Sequence, residues 1–241
     1  KYNLIVSRLS DIANQIMMIS PEQENAEEHY ESLVAKYNEI LSTAITDNLD
    51  NIIGVELFTT QESRSMSAED MRVRLNQFSP QMRNLKQMRE FEQYIETYAR
   101  SEIGQPFIDI EVESITGGKQ ALSEICGKGK WVLLDFWATW CGPCKGEIPN
   151  LIELHKQFAG EKFIVLGVNV WDQEDKFKAA LEEEGIEYPQ IFVPRDNKDN
   201  ATELYSIQGI PQIMLFGPDG TIVKRNLRGE EMKIFVADQL K

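Results

Sequence analysis

The sequence predicts an α/β fold with a partly parallel sheet, preceded by an all-α region. Three observations predict it. Residues 1 to about 103 carry helical periodicity, and the residues from 104 onward alternate short apolar runs with helical stretches. The last two apolar runs are joined by a tight GPDG turn. Strands that alternate with helices pair in parallel, because the helix supplies the crossover, whereas a tight turn joins an antiparallel pair.

Within the helical region, the apolar positions from Tyr30 run Leu33, Val34, Tyr37, Ile40, Leu41, Ala44 and Ile45, a stripe of period 3.6. Ser67 before Ala68-Glu69-Asp70 reads as an N-cap, and Ser79 followed by Pro80 as another, with proline in the first turn. The helix after Ser79 carries Met82, Leu85, Phe91, Ile95 and Tyr98, with Gly104 as its expected end. Stripes of this kind form a core when they meet one another. The aromatic and methionine side chains between residues 66 and 98 also suit a partner surface, so residues 1–103 are expected to form a helical accessory or docking domain.

In residues 104–241, WVLLDFW (131–137) is a strand buried on both faces, and NLIELHKQFAG continues as helix. FIVLGVNV (163–170) is a second buried strand, followed by a helix over 175–185 that Gly185 closes. PQIFV is a short strand, ATELYSI a helix, and QIMLF and TIVKRNL are the strands joined by GPDG. A last helix is expected from about Glu230 to Leu240.

Composition narrows the function classes. The chain is 42% apolar and 27% charged, with a formal net charge of −14. Ten basic and 17 acidic residues lie before residue 104, and 15 and 22 after it. Neither half has the basic surplus that phosphate backbones demand, so no nucleic-acid partner is expected. No apolar run reaches the roughly 18 residues of a membrane span. The chain begins at Lys1 without Met, which reads as a mature product whose targeting signal has been removed.

Chemistry is concentrated in FWATWCGPCKGEIP (136–149). Three cysteines are too few for a disulfide framework, and Cys126 lies outside any redox spacing, as a buried apolar filler. Zinc would need four ligands, and the two histidines, His29 and His155, form no paired ligand motif, so no metal is expected. His155 reads as a solvated side chain of the following helix. Cys141 falls where a buried strand ends and a helix begins, and Pro143 suits the helix's first turn. Unpaired N–H groups and the helix dipole there stabilise a thiolate. The two-residue spacer brings Cys144 one turn on, near enough to close a small disulfide. In such a redox pair Cys141 attacks a partner disulfide and Cys144 resolves the mixed disulfide. A fixed structural staple is the bland alternative, though staples gain most by closing long loops.

VLLDFWATWCGPCK resembles the active-site signature of thioredoxins, and IQGIPQIMLF (207–216), about 66 residues further on, resembles their cis-proline segment. CGPCKGEIP matches the CxxCxxExP pattern of the TlpA/ResA-like thiol-disulfide oxidoreductases of the thioredoxin superfamily. The stretch WDQEDKFKAALEEEGIEYPQIFV resembles that family's helix-plus-strand insertion, and GQPFIDIEVESITGGKQALSEICGKGKW its N-terminal hairpin. The resemblance covers 104–241 and implies a thioredoxin-like fold with a mixed central sheet flanked by helices. The helical region is similar, more weakly, to accessory regions of Bacteroides-type relatives.

Carried over position by position, the resemblance implies that Cys141 is the exposed nucleophile and Cys144 the buried resolving thiol. Trp140, Gly142 and Pro143 border the site. Pro211 is the cis-proline, presenting the Ile210 backbone as a short edge for an extended substrate segment. Asp135, an acid in a strand otherwise apolar on both faces, suits acceptance of the Cys144 proton if buried; an exposed strand-end carboxylate is the alternative. Glu147 matches the family's acid behind the cysteines, and also suits a helix N-terminus by charge alone. Thioredoxins share the aspartate and ResA-like proteins the glutamate, which leaves open which of the two moves the proton. Pro149 deletes one backbone bond of the helix, where a kink is expected.

The resulting expectation is a thiol-disulfide oxidoreductase acting on protein thiols and disulfides without a cofactor. By resemblance it is a periplasmic or extracytoplasmic reductase, anchored to the membrane by a segment absent from this chain. By resemblance, too, a membrane disulfide reductase is its electron donor and apocytochrome c thiols are among the relatives' substrates. Two alternatives stand beside it. A peroxiredoxin-like peroxidase would need threonine and arginine near its cysteine; Thr139 is close in sequence, but no arginine is. The other is a docking module with a dispensable redox site.

Overall fold

The computed structural model of the protein describes residues 2–20, 25–113, 118–195 and 200–241. It divides into two compact units, Lys1–Ala99 and Arg100–Lys241.

The first unit is helical: α1 (Tyr2–Met17), α2 (Ala26–Thr46), α3 (Ile52–Thr60), α4 (Ala68–Gln77), α5 (Pro80–Arg83) and α6 (Lys86–Ala99). The α2 stripe buries Leu33, Leu41, Ala44 and Ile45, and all but Leu33 join a core with Val55, Phe58, Met71, Phe91 and Ile95. Ser67 and Ser79 cap α4 and α5 by accepting from the N–H groups of Asp70 and Met82. The single helix expected from Ser79 to Gly104 is instead two. The N–H groups of Asn84 and Leu85 turn back on the carbonyls of Pro80 and Met82, closing α5 after one turn. Gly104 ends no helix: α6 stops at Ala99, and the Gly104 N–H donates to Ile222 O in the second unit.

The second unit holds β1 (Glu111–Glu113), β2 (Lys119–Ala121), β3 (Trp131–Trp137), α7 (Gly142–Phe158), β4 (Phe163–Asn169), α8 (Glu174–Glu183), β5 (Gln190–Phe192), α9 (Ala201–Leu204), β6 (Gln212–Phe216), β7 (Ile222–Lys224) and α10 (Gly229–Gln239). β1 and β2 pair antiparallel; the stretch expected to turn between them, 114–117, lies outside the described residues. The main sheet has the order β5-β4-β3-β6-β7. β3 pairs in parallel with β4, and β4 with β5, whereas β6 and β7 add antiparallel.

Central strand β3 is apolar on both faces because both are covered. Leu133 and Trp137 pack with α7, α8 and α10 residues such as Leu151, Phe177 and Val236. Val132, Leu134 and Phe136 pack on the other face with Val168, Tyr205 and Met214. α9 and β7 are shorter than expected, and a left-handed residue follows each. Ser206 (φ 51°) follows α9, and Asn226 (φ 60°) follows β7. Arg225 leaves β7 to turn inward, where its guanidinium donates to the carbonyls of Ser101 and Tyr205. The last helix runs Gly229–Gln239, one residue earlier than expected.

His155 is not a solvated side chain. Its ring packs against Tyr188 with centroids 5.9 Å apart, and its Nδ1 is buried, because this part of α7 faces the segment entering β5. Cys126 is buried as expected; burial, with Asp109 nearby, pushes its thiol up to about 12.

Candidate active site

The site forms where β3 gives way to α7. Strand β3 ends at Trp137, the Cys141 N–H turns back to Ala138 O, and α7 begins at Gly142 with Pro143 in its first turn. Cys141 is the N-cap residue, and its Sγ accepts from the Cys144 N–H at 3.1 Å. That N–H is one of the orphan donors of a helix start, so the fold directs a positive dipole end at the sulfur that must carry charge. Cys141 and Cys144 are joined in a disulfide with Cα atoms 5.3 Å apart. Cys144 is fully buried, as expected. Cys141 is less open than expected: only 4% of its surface is exposed, because it packs in the core cluster of α7 and β3. Access comes from its neighbours, since Gly142 and Pro143 are exposed and Trp140 is 60% exposed.

Opposite the disulfide, the Ile210–Pro211 peptide is cis. Cys141 Sγ lies 3.7 Å from Ile210 O, within reach of a thiol donor once the pair is reduced. Sequence places Ile210 about 70 residues from the cysteines; β6, pairing with β3, brings the two together.

Asp135 faces the same side of the sheet as Leu133 and Trp137, beneath α7. It is fully buried and neither carboxylate oxygen has a hydrogen-bond partner. Burial pushes its carboxyl up to about 8; Arg228 pulls it down and Glu147 pushes it further up. Glu147, half-buried on α7, accepts from the Gly229 N–H at 3.0 Å and from Asn150 Nδ2 at 3.0 Å. The two acids therefore differ in kind: Asp135 is unpaired with its carboxyl pushed up to about 8, whereas Glu147 is held by donors.

Sequence reasoning missed three participants. Arg228, just before α10, donates to the carbonyls of Pro211 and Leu227, and so ties the cis-proline segment to the two acids. Burial lowers its own pKa against the pull of Asp135 and Glu147. Asp172 takes the Thr139 N–H at 2.6 Å and the Thr139 hydroxyl at 3.0 Å. Burial alone would raise its pKa, but these donors, with those of Gln173 and Asn169, hold it below the usual carboxylate range. Trp171, left-handed at φ 57°, offers its carbonyl to Trp140 Nε1 and so fixes the exposed indole beside the disulfide. An acid just after a buried strand was a signal for Asp172; nothing local marks Arg228, 87 positions beyond Cys141.

The sequence pattern of the AhpC/TSA family matches residues 103–225, about half of the chain. The chain belongs to the AhpC/TSA family. Among its relatives, the thiol-disulfide oxidoreductase ResA of Bacillus subtilis is 30% identical over 113 residues, 47% of this chain and 60% of ResA. The chain thus spans less than two thirds of that relative's length. The thioredoxin-like protein YneN of Bacillus subtilis is 30% identical over 53% of this chain and 75% of its own. The thioredoxin domain of a thiol-disulfide oxidoreductase from Bacteroides vulgatus superposes with a TM-score of 0.54 at 31% identity, covering 58% of this chain and 99% of that domain. The AhpC/TSA match contains both cysteines, Asp135, Glu147 and the cis-proline, and stops short of Arg228. The fold is thioredoxin-like, a mixed sheet flanked by helices, and it carries the CxxC-spaced pair Cys141–Cys144. Among the described residues no group of acids, histidines and cysteines suits a metal ion, and no helix is long and apolar enough to cross a membrane.

Proposed function

We propose that the protein reduces disulfides in protein substrates, with Cys141 as nucleophile and Cys144 as resolving thiol. One observation carries this reading: a disulfide at a helix N-terminus, beside a cis-proline edge and above an unpaired buried acid. In the reduced protein the Cys141 thiolate attacks a substrate disulfide, and one substrate sulfur leaves and takes up a proton. Cys144 then gives its proton to ionised Asp135, the form that grows as pH approaches about 8, and its thiolate attacks Cys141 Sγ. The second substrate sulfur departs, leaving the Cys141–Cys144 disulfide. Two electrons from a donor dithiol restore the starting state.

Asp135 fits the acceptor's part better than Glu147, because its unpaired carboxyl gains a proton without losing a hydrogen bond. Ile210 and Pro211 support an extended substrate segment, with Trp140, Gly142 and Pro143 forming the opposite rim. By analogy with ResA-like relatives, the setting is periplasmic or otherwise extracytoplasmic, with a membrane anchor outside this chain. A membrane disulfide reductase then supplies electrons, and apocytochrome c thiols are a substrate class. The unit Lys1–Ala99 serves as the accessory or docking domain.

Insulin reduction tests the reading. Cys141→Ser should abolish turnover, and Cys144→Ser should accumulate a mixed disulfide visible by mass spectrometry without reductant. Turnover of hydrogen peroxide faster than of insulin would favour the peroxidase reading instead. A Cys141→Ser/Cys144→Ser protein with full biological activity would favour docking alone. A couple near −270 mV fits a reductase, and one near −120 mV an oxidant, by the roughly −270 and −120 mV of known dithiols.

A further inference from the structure

Asp135 exchanges a proton in every cycle yet has no exposed surface, so the proton needs a route. Asp135, Gly167 and Gln190 lie in one row across β3, β4 and β5. Gly167 has no side chain, and the Gln190 amide fills the space: a Cβ on Gly167 would sit 2.1 Å from Gln190 Oε1. Trp137 Nε1 donates to Gln190 Oε1 at 2.9 Å, which fixes the amide. Tyr188 enters this region just ahead of β5, held by the Gly167 N–H on Pro189 O. The residue is 3% exposed and its buried hydroxyl makes no well-formed hydrogen bond; burial raises the phenol's pKa, the Asp135 charge raises it further, and the Gln190 amide opposes them. The His155 ring packs against the Tyr188 ring with centroids 5.9 Å apart, and its Nδ1 is buried and unpaired while the residue as a whole is only half-buried.

Three neighbouring groups with unpaired buried polar atoms are unusual, since such groups nearly always find a partner in protein or ordered water. We propose that Tyr188 and His155 form a proton exit from Asp135 to solvent, bordered by the Gln190 amide that occupies the space over Gly167. The inference rests on Asp135 being the acceptor for Cys144. After Cys144 has given up its proton, protonated Asp135 passes one to the Tyr188 oxygen through a bridging water. The Tyr188 O–H proton moves through a second bridging water to His155 Nδ1, and His155 releases its Nε2 proton to bulk. One proton leaves Asp135, one reaches solvent, and no electrons move. The other charged groups acting on Asp135 are Glu147 on α7 and Arg228 before α10, the latter donating to Pro211 O.

The test is single-turnover oxidation of the reduced protein by insulin, followed by tryptophan fluorescence across pH 5 to 9. Tyr188→Phe keeps the ring and removes the hydroxyl. It should slow the resolving step about tenfold, a fraction of what acid–base groups contribute, and change its pH profile, leaving mixed-disulfide formation at the wild-type rate. His155→Ala should behave alike and recover with added imidazole, a rescue that lost packing would not show. If Asp135→Asn resolves at the wild-type rate, the acceptor assignment itself fails. If Asp135→Asn is slow while Tyr188→Phe and His155→Ala keep wild-type rates and profiles, the exit is overturned. Slowing by Glu147→Gln alone would route the proton past Glu147 and overturn it too, as would slowing of both chemical steps without imidazole rescue.

Discussion

Asp135→Asn should flatten the pH dependence of the redox unit's stability. The native carboxyl titrates at about 8 because it is fully buried without a partner, while an unfolded aspartate titrates near 3.9. Between those values the folded state holds one more proton than the unfolded state, so stability is highest at low pH and falls as pH rises. The slope is about 1.4 kcal/mol per pH unit, which amounts to about 4 kcal/mol between pH 4 and pH 7. Asparagine does not titrate, so the variant lacks this loss. A buried amide without partners costs about 1–3 kcal/mol at every pH, so the informative quantity is the difference in slope. All four tryptophans, Trp131, Trp137, Trp140 and Trp171, lie in the second unit, so urea unfolding followed by their fluorescence reports that unit alone. With the disulfide kept closed, wild-type stability should drop relative to the variant by several kcal/mol between pH 4 and 7. Parallel curves for the two proteins would refute the argument that Asp135 is buried, unpaired and protonated in the fold.

Other outcomes follow from the same geometry. Arg228→Met removes the cation that pulls the Asp135 carboxyl down, so the pH midpoint of that slope should move upward, as read by the same unfolding series. In the reduced native protein, iodoacetamide at pH 8 should label Cys141 and leave Cys126 untouched until denaturant is added, by peptide mass spectrometry; Cys126 is buried with its thiol pushed up to about 12. Gly54→Ala would place a Cβ 2.2 Å from the Asn48 carbonyl oxygen in α3's close approach to the preceding turn. Backbone must move to accept it, at a cost of about 1–3 kcal/mol, visible as earlier loss of helical circular dichroism with tryptophan fluorescence unchanged.

The local parts of the site were legible because they are consecutive in the chain. An apolar strand, a Cys-Gly-Pro-Cys start and an amphipathic helix fall within residues 131–158, where period and capping chemistry suffice. Asp135 was recognisable as an acid in an otherwise apolar run. The N-caps Ser67 and Ser79 were readable for the same reason, each acting on an N–H three residues ahead. What failed were lengths and surroundings. A break at Asn84 carries no breaker residue, and the inward turn of Arg225 after β7 is set by the carbonyls waiting for it. His155 read as solvated because nothing near it in sequence announces Tyr188.

By itself, the sequence determined that two sulfurs sit one turn apart at the start of a helix, since spacing and helix geometry need no distant partner. Only the tertiary structure decided their environment. It set the Ile210–Pro211 edge against Cys141, brought Arg228 and Glu147 to Asp135, and filled the place over Gly167 with the Gln190 amide. The reason is physical: a dipole or a cap acts across neighbouring residues, whereas burial and charge act through space, on whatever chain segments the sheet order brings side by side.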